Sequence, residues 1–491
     1  MGYVKYILVM LTGLITAMSA DSKSLTAHVF TTPDQIELSE ITNAGHYILA
    51  THLVRTLTKL DKLGNVQPNL LKKWTKISSK QWLLELDNLR FSNGEQIKSD
   101  DVISSIKRQM KIANAIHYNF NNFKTLKKIA DRKIVITLNK ENSNLIYDFS
   151  KPEFGVLHRT DYLVPKNQMK FKITSGPYSI KNIKFFDYYL TRNTYYSNDV
   201  ENDFDLVFLR KHEKNSTNFG LDFYATAADV SQVEHLKLTK LATVKATKPH
   251  VGFSYWVSLN KNSKIFKNKT SIRKFQNHVS NFDINSENNF LWEKANQLYL
   301  PDGDGRPTTK EIEKVWKDIK LDSSKLKESK VKPVLRMLPL KFSNNVIVDL
   351  IKHLSLNYNV EIISYKTEEE LRQIISRNEF DIKISANDFS SIDLSENLKT
   401  SFNSSRPYIF LKKNDKIFKL MSDLSKEEVR SIRSAIFKEI GLRLISEGYI
   451  APVGFQRIWF YSSREVDIAN WSNLFPEVSF WKVKLSDTAG K

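Results

Sequence analysis

The chain contains no cysteine. Disulfides, thiolate metal sites and cysteine nucleophiles are therefore excluded. So is the lipidated cysteine that tethers many surface proteins to a membrane. Several catalytic signatures are missing as well. There is no Gly-x-Ser-x-Gly elbow, no glycine-rich phosphate loop and no paired-carboxylate motif. The ten histidines are dispersed, and none forms the His-x-x-x-His helical pair of a zinc hydrolase. Catalysis and a resident metal are not expected, and no cofactor is implied. Beyond the N-terminus no run is apolar enough to cross a membrane. Acidic residues are outnumbered, 54 against 74 basic, which leaves a net charge of +20. Such an excess can draw a protein to anionic surfaces. The lysines are scattered rather than gathered in one arm, so the first expectation is a solvated basic surface. Nucleic acid is not an expected partner, because no recognisable binding motif is present.

What is present suits a large globular chain. At 491 residues it can bury a sizeable core and divide into more than one domain. Hydrophobic residues make up 41% and aromatics 11%, which argues against wholesale disorder. The N-terminus has the form of a signal peptide. Lys5 supplies the positive end and Tyr6 to Ile15 the short apolar core. Ala17, Ser19 and Ala20 offer small residues for a cut, so a mature chain is expected from about Ala20 or Asp21. With no cysteine to lipidate, the expected location is the periplasm.

The stretch from Gln67 to Ile106 is the most informative. Trp82, Leu84 and Leu86 alternate as in a half-buried strand. Phe91-Ser92-Asn93-Gly94-Glu95 makes a turn, with Gly94 free to take positive φ. Ser99-Asp100-Asp101-Val102 then opens a helix with a hydroxyl cap and two acids against the N-terminal dipole. Val102, Ile103, Ile106 and Met110 follow at helical spacing. This order, with Pro68, Leu70 and Trp74 ahead of it, resembles the extracellular solute-binding proteins of family 5, the peptide/nickel class that serves ABC importers. Ser175-Gly176-Pro177-Tyr178, Tyr189 to Asn193, Phe204 to Phe208, Tyr255 to Asn260 and Ser271 to Phe275 extend the resemblance. Leu86 is followed by Asp87-Asn88 where the family usually has Leu-Arg, and the loop is one residue short.

Further along, periodicity predicts strands at Val334–Leu338, Val360–Ile363 and Phe380–Ile384. Helices are predicted between them at 344–356 and from a Thr367-x-x-Glu370 capping box to about Arg377. Such alternation implies a parallel α/β sheet. One long helix is expected over Lys426–Glu447, and a strand over Tyr449–Tyr461. The resemblance implies an α/β, two-lobe periplasmic binding protein fold with an extra domain, the peptide-binding class II or cluster C arrangement. It divides the chain into a signal peptide, 1–20; a discontinuous lobe I, 21–56 with 165–250 and 450–491; an extra domain, 57–164; and lobe II, 251–449.

The same resemblance implies an aspartate that meets the free ammonium of a peptide. Phe380-Asp381-Ile382 fits the strand that precedes it, and Asp388 is the matching residue, with Asn387 and Phe389 beside it. A desolvated carboxylate–ammonium pair is stronger than a surface pair. The competing reading of Asp388 is a solvated loop aspartate. The usual tryptophan is missing, with Ser385 or Ala386 near its place. Trp256, on a strand near the implied hinge, is the other candidate ligand residue, against the alternative of core packing. Tyr178 is weighed in the same way. Pro301-Asp302-Gly303-Asp304-Gly305 looks like a cation loop but lacks the further oxygen ligands. A tight turn is expected there. The implied function is capture of an oligopeptide or similar small solute by a monomer, which hands it to an inner-membrane ABC permease. A metal-chelate cargo stays open. The alternative is a non-transport sensor or scaffold with a degenerate pocket.

Overall fold

The computed structural model describes residues 23–486 apart from short interruptions and the longer stretches 113–119, 197–203, 212–223, 285–289, 325–330, 340–344, 388–397, 403–414 and 468–479. The expected signal peptide, Asp388, Phe389 and the 302–304 turn lie outside the described residues.

The extra domain shows how directly local sequence becomes structure. Strand Gln81–Leu86 buries Trp82, Leu84 and Leu86 on one face, as the alternation requires. It pairs antiparallel with Leu71–Ser78 and with Lys133–Leu138, and Phe123–Ala130 completes a four-stranded sheet. Helix Ser99–Ile112 packs Val102, Ile103 and Ile106 into the same core. Each such side chain contributes about 1.5–3 kcal/mol when fully buried. Gly94 takes φ +86° in the preceding turn. The helix start differs from expectation in one respect. Ser99 does not cap; its hydroxyl donates to the Ala130 carbonyl at 2.8 Å and ties the helix to the sheet. The start is held instead by Asp101, whose carboxylate accepts from the Lys98 backbone N–H at 2.9 Å. Asp100 pairs with Lys128 at 2.6 Å.

Among the described residues, one mixed sheet of twelve strands dominates the rest of the molecule. Its spine is the fourteen-residue strand Ile450–Ser463. Residues 450–458 pair antiparallel with His250–Leu259, and residues 459–462 pair antiparallel with Tyr224–Ala228. Beyond Tyr224–Ala228 come Ser24–Val29, Leu206–Lys211, Asp187–Arg192 and, at the edge, Tyr178–Lys184. On the other side, His250–Leu259 pairs with Ile382–Asn387, followed by Val334–Leu338 and Asn359–Ile362. The last three strands are parallel, as the strand–helix alternation implies. Helices Asn345–Leu354 and Glu368–Ser376 connect them.

The apolar residues gather accordingly. One core joins Ser24–Val29 and helix Ala44–Leu53 to Tyr178, Leu190, Val207, Ile458 and Phe480, which are far apart in sequence. A second lies within 57–156. Two more flank the sheet between Phe253 and Phe455. The architecture is α/β and two-lobed, with an extra antiparallel domain.

Two expected helices have other bounds. Ile48, Leu49, Leu53 and Leu57 share one helical face and predict a helix over Gly45–Leu57, but helix Ala44–Leu53 stops four residues earlier, because the backbone of Gly176 lies against its last turn. The Gly176 N–H donates to the Leu53 carbonyl at 3.1 Å, and Ser175 Oγ accepts from the Arg55 N–H at 2.9 Å. The helix expected over 426–447 starts later, at Arg430, and runs to Ser446; a further helix not expected from the sequence, Lys416–Leu424, precedes it. Between them the Glu427 carboxylate accepts from the Val429 N–H at 2.8 Å and holds a turn.

Candidate functional site

Strands His250–Leu259 and Ile450–Ser463 pair antiparallel in the middle of the large sheet. Ile382–Asn387 lies beside the first of them and ends where Asn387 meets Ser254 in register. Open α/β sheets place their ligand crevices at such carboxyl ends. Alternation puts Ser254, Trp256, Ser258, Ser385 and Asn387 on one face of this strand pair. Two of the four expected ligand residues, Asn387 and Trp256, therefore share a face. Asn387 is half-buried, and its amide donates to Ser401 Oγ at 2.7 Å. The Ser254 hydroxyl is buried and has no hydrogen-bond partner among the described residues. Buried hydroxyls are rarely left so.

Trp256 is 1% exposed. Its indole N–H donates to Ser258 Oγ at 3.0 Å, Ser258 shares a hydrogen bond with Ser385 at 3.3 Å, and the ring lies 5.7 Å from Phe402. The residue packs in the core behind the strand end. Tyr178 is also fully buried, and burial pushes its phenol pKa far up. Asp381, which opens the strand, is structural. It accepts from the Arg336 backbone N–H at 2.7 Å, from the Arg336 side chain at 3.1 and 3.3 Å, and from Ser263 Oγ at 2.5 Å.

The sequence does not announce a second cluster, which gathers on strand Ile450–Ser463. Trp459 and Phe290 stack at 5.0 Å with planes 8° apart. His235 lies 4.3 Å from the first ring and 4.5 Å from the second. His235 Nδ1 and the Tyr461 hydroxyl share a hydrogen bond of 2.7 Å. Burial lowers the His235 pKa, which favours the neutral ring. The Trp459 indole N–H is buried without a hydrogen-bond partner among the described residues. The four residues come from three distant segments, so no sequence spacing announces them.

Two polar ties bridge the large units. Arg108, on the extra-domain helix, forms a bidentate pair with Glu37 at 2.6 and 2.8 Å, with both side chains buried. Arg433, in helix Arg430–Ser446, donates to Asn144 Oδ1 of the extra domain at 2.7 Å. Among the described residues no group of three or more His, Cys, Asp or Glu could hold a metal ion. No helix among them is long and apolar enough to cross a membrane.

Residues 65–274 match the model of the bacterial extracellular solute-binding proteins, family 5 middle. The family 5 resemblance is borne out. The matched family is one of solute-binding proteins rather than of enzymes. The nickel-binding protein NikA of Staphylococcus aureus is 27% identical over 130 residues, 26% of each chain. That alignment spans about a quarter of the relative's length. The fold likeness is wider. NikA from Brucella suis in complex with Fe(III)-EDTA superposes with a TM-score of 0.78 at 15% identity, over 94% of this chain and 100% of that one. The periplasmic binding protein DppA from Helicobacter pylori, in complex with the peptide STSA, gives 0.74 at 17% identity, over 94% and 98%. The oligopeptide-binding protein AppA from Bacillus subtilis, with a nonapeptide, gives 0.70 at 15%, over 94% and 99%. At these identities the structures establish the fold and not the cargo.

Proposed function

We propose that the protein is a periplasmic capture subunit. It encloses an oligopeptide or similar small solute between its lobes and presents the closed form to an inner-membrane ABC permease. Closure is a ligand-driven population shift about the paired strands His250–Leu259 and Ile450–Ser463. The observation that carries the reading is the strand end where Asn387 meets Ser254, whose buried hydroxyl has no hydrogen-bond partner among the described residues. The likeness to structures holding a peptide, a nonapeptide or a chelate supports a small-solute cargo. Asp388, the next residue along the chain, supplies the carboxylate for a peptide ammonium, with Asn387 and Phe389 on either side. The protein acts as a monomer and turns nothing over.

Calorimetry tests this. A peptide identified by mass spectrometry of material released from the purified protein is titrated into wild type and Asp388→Asn. Leaving an ammonium without its desolvated partner costs about 2–5 kcal/mol, or roughly thirtyfold or more in affinity. N-acetylation of the peptide should weaken wild-type binding comparably. Equal affinities in both comparisons would make Asp388 a loop residue and remove the ammonium from the account.

A further inference from the structure

Strands Tyr178–Lys184 and Asp187–Arg192 form a hairpin at the edge of the large sheet. Its two-residue loop is Phe185-Phe186, closed by Lys184 opposite Asp187. Both loop residues have positive φ, 49° and 68°. Such a loop ordinarily takes Asn-Gly or Asp-Gly, because a bulky side chain is strained at positive φ. Here two phenylalanines occupy it. They do not support the fold from there, since Phe185 is 97% and Phe186 54% exposed. Ile183, 46% exposed, adds a third apolar side chain beside them. Exposed lysines 172, 181 and 184 flank the group, and the Lys172 ammonium donates to the Lys181 carbonyl at 2.7 Å. The tip thus joins local strain, exposed aromatic rings and positive charge.

We propose that this hairpin tip is a membrane-surface anchor that inserts Phe185 and Phe186 among the headgroups of an anionic bilayer. Aromatic rings suit that depth, and lysines around them meet anionic headgroups. A two-residue convex tip is too small for a stable protein interface, which buries about 800 Å² per partner. Interfacial insertion needs only the rings. The excess of 20 positive charges over the whole chain adds a long-range attraction of the same sign. The inference stands apart from solute capture, because vesicle binding needs no cargo.

Co-sedimentation tests it with the full chain and two kinds of vesicle, pure phosphatidylcholine and equimolar phosphatidylcholine–phosphatidylglycerol. Wild type should pellet with the anionic vesicles and stay in solution with the neutral ones. The variant Phe185→Asn/Phe186→Gly keeps every charge and installs the preferred loop. It should bind the anionic vesicles more than about tenfold more weakly, with a melting temperature equal to or above that of wild type. Replacing lysines 172, 181 and 184 by glutamine should cost about fivefold for each lysine. The proposal is overturned if wild type ignores anionic vesicles. It is overturned equally if the Asn-Gly variant binds them as wild type does, which would reduce the attraction to bulk charge. A variant that melts lower, or that breaks a dimer formed by wild type, would assign the phenylalanines to packing or self-association and overturn it too.

Discussion

Arg108→Met tests the tie between the extra domain and the first lobe. The guanidinium contacts both oxygens of Glu37 at 2.6 and 2.8 Å, and the two side chains are 3% and 2% exposed. The Asn167 backbone N–H adds a third contact to the carboxylate at 3.1 Å. Methionine keeps the stem's packing but removes the charge, leaving a buried carboxylate uncompensated. Breaking a buried pair in this way costs about 3–5 kcal/mol. Replacing both partners, as in Glu37→Leu/Arg108→Met, should recover most of that loss. Denaturant unfolding of wild type, the two single variants and the double variant closes the cycle. The pH dependence gives an independent reading. Burial pushes the Glu37 pKa up, but Arg108 and the Asn167 and Ser39 N–H groups outweigh it and hold it below 4.5. The folded pKa is depressed, so the stabilisation is complete above the unfolded value and is lost as pH falls through the folded one. In Arg108→Met the burial effect dominates, the pKa rises, and the deficit should shrink as pH falls from neutrality toward the carboxylate range. A single-variant loss below about 1 kcal/mol, the range of an exposed pair, would refute the reasoning. So would a deficit independent of pH.

Gly176→Ala should destabilise by about 1–3 kcal/mol, because a Cβ there would sit 2.5 Å from the Leu53 carbonyl carbon and 2.6 Å from the Val54 nitrogen. An unchanged unfolding midpoint would show that the helix end can yield. His278 and His353 stack at 4.3 Å, and each Nε2–H donates to the other's carbonyl, at 3.0 and 2.9 Å. Burial first, and then the neighbouring His353, lower the His278 pKa below 6.5. Its contribution to stability is therefore complete above pH 6.5 and declines as pH falls below it. A proton NMR titration of the ring should show the low value, and an ordinary histidine titration would contradict it.

Much of the fold was legible because its elements carry strong periodicity and local chemistry. The Trp82–Leu84–Leu86 alternation, the Gly94 turn and the helix after Lys98 could be placed from residue types alone. So could the parallel unit of Val334–Leu338, Asn359–Ile362 and Ile382–Asn387. The start at Arg430 rather than Lys426 was not legible, since no proline or glycine marks it and a glutamate–backbone bond holds the turn before it; the helix Lys416–Leu424 was not foreseen. Ser99 looked like a cap because of its type, but tertiary contact with Ala130 claims its hydroxyl. Trp256 posed a different problem. Tyr255, Val257 and Leu259 face one core and Trp256 another, so the strand is covered on both sides and alternation reveals no solvent face. The Trp459–Phe290–His235 cluster depends wholly on the fold.

Scattering on a stripped and reloaded protein tests the central claim most directly. Bound solute is removed by unfolding and dialysis, and the radius of gyration is measured by small-angle X-ray scattering before and after the released material is added back. Capture between two lobes predicts a smaller radius on reloading, with the solute recovered chemically unchanged. An unchanged radius at saturation, or conversion of the solute to a product, would contradict it.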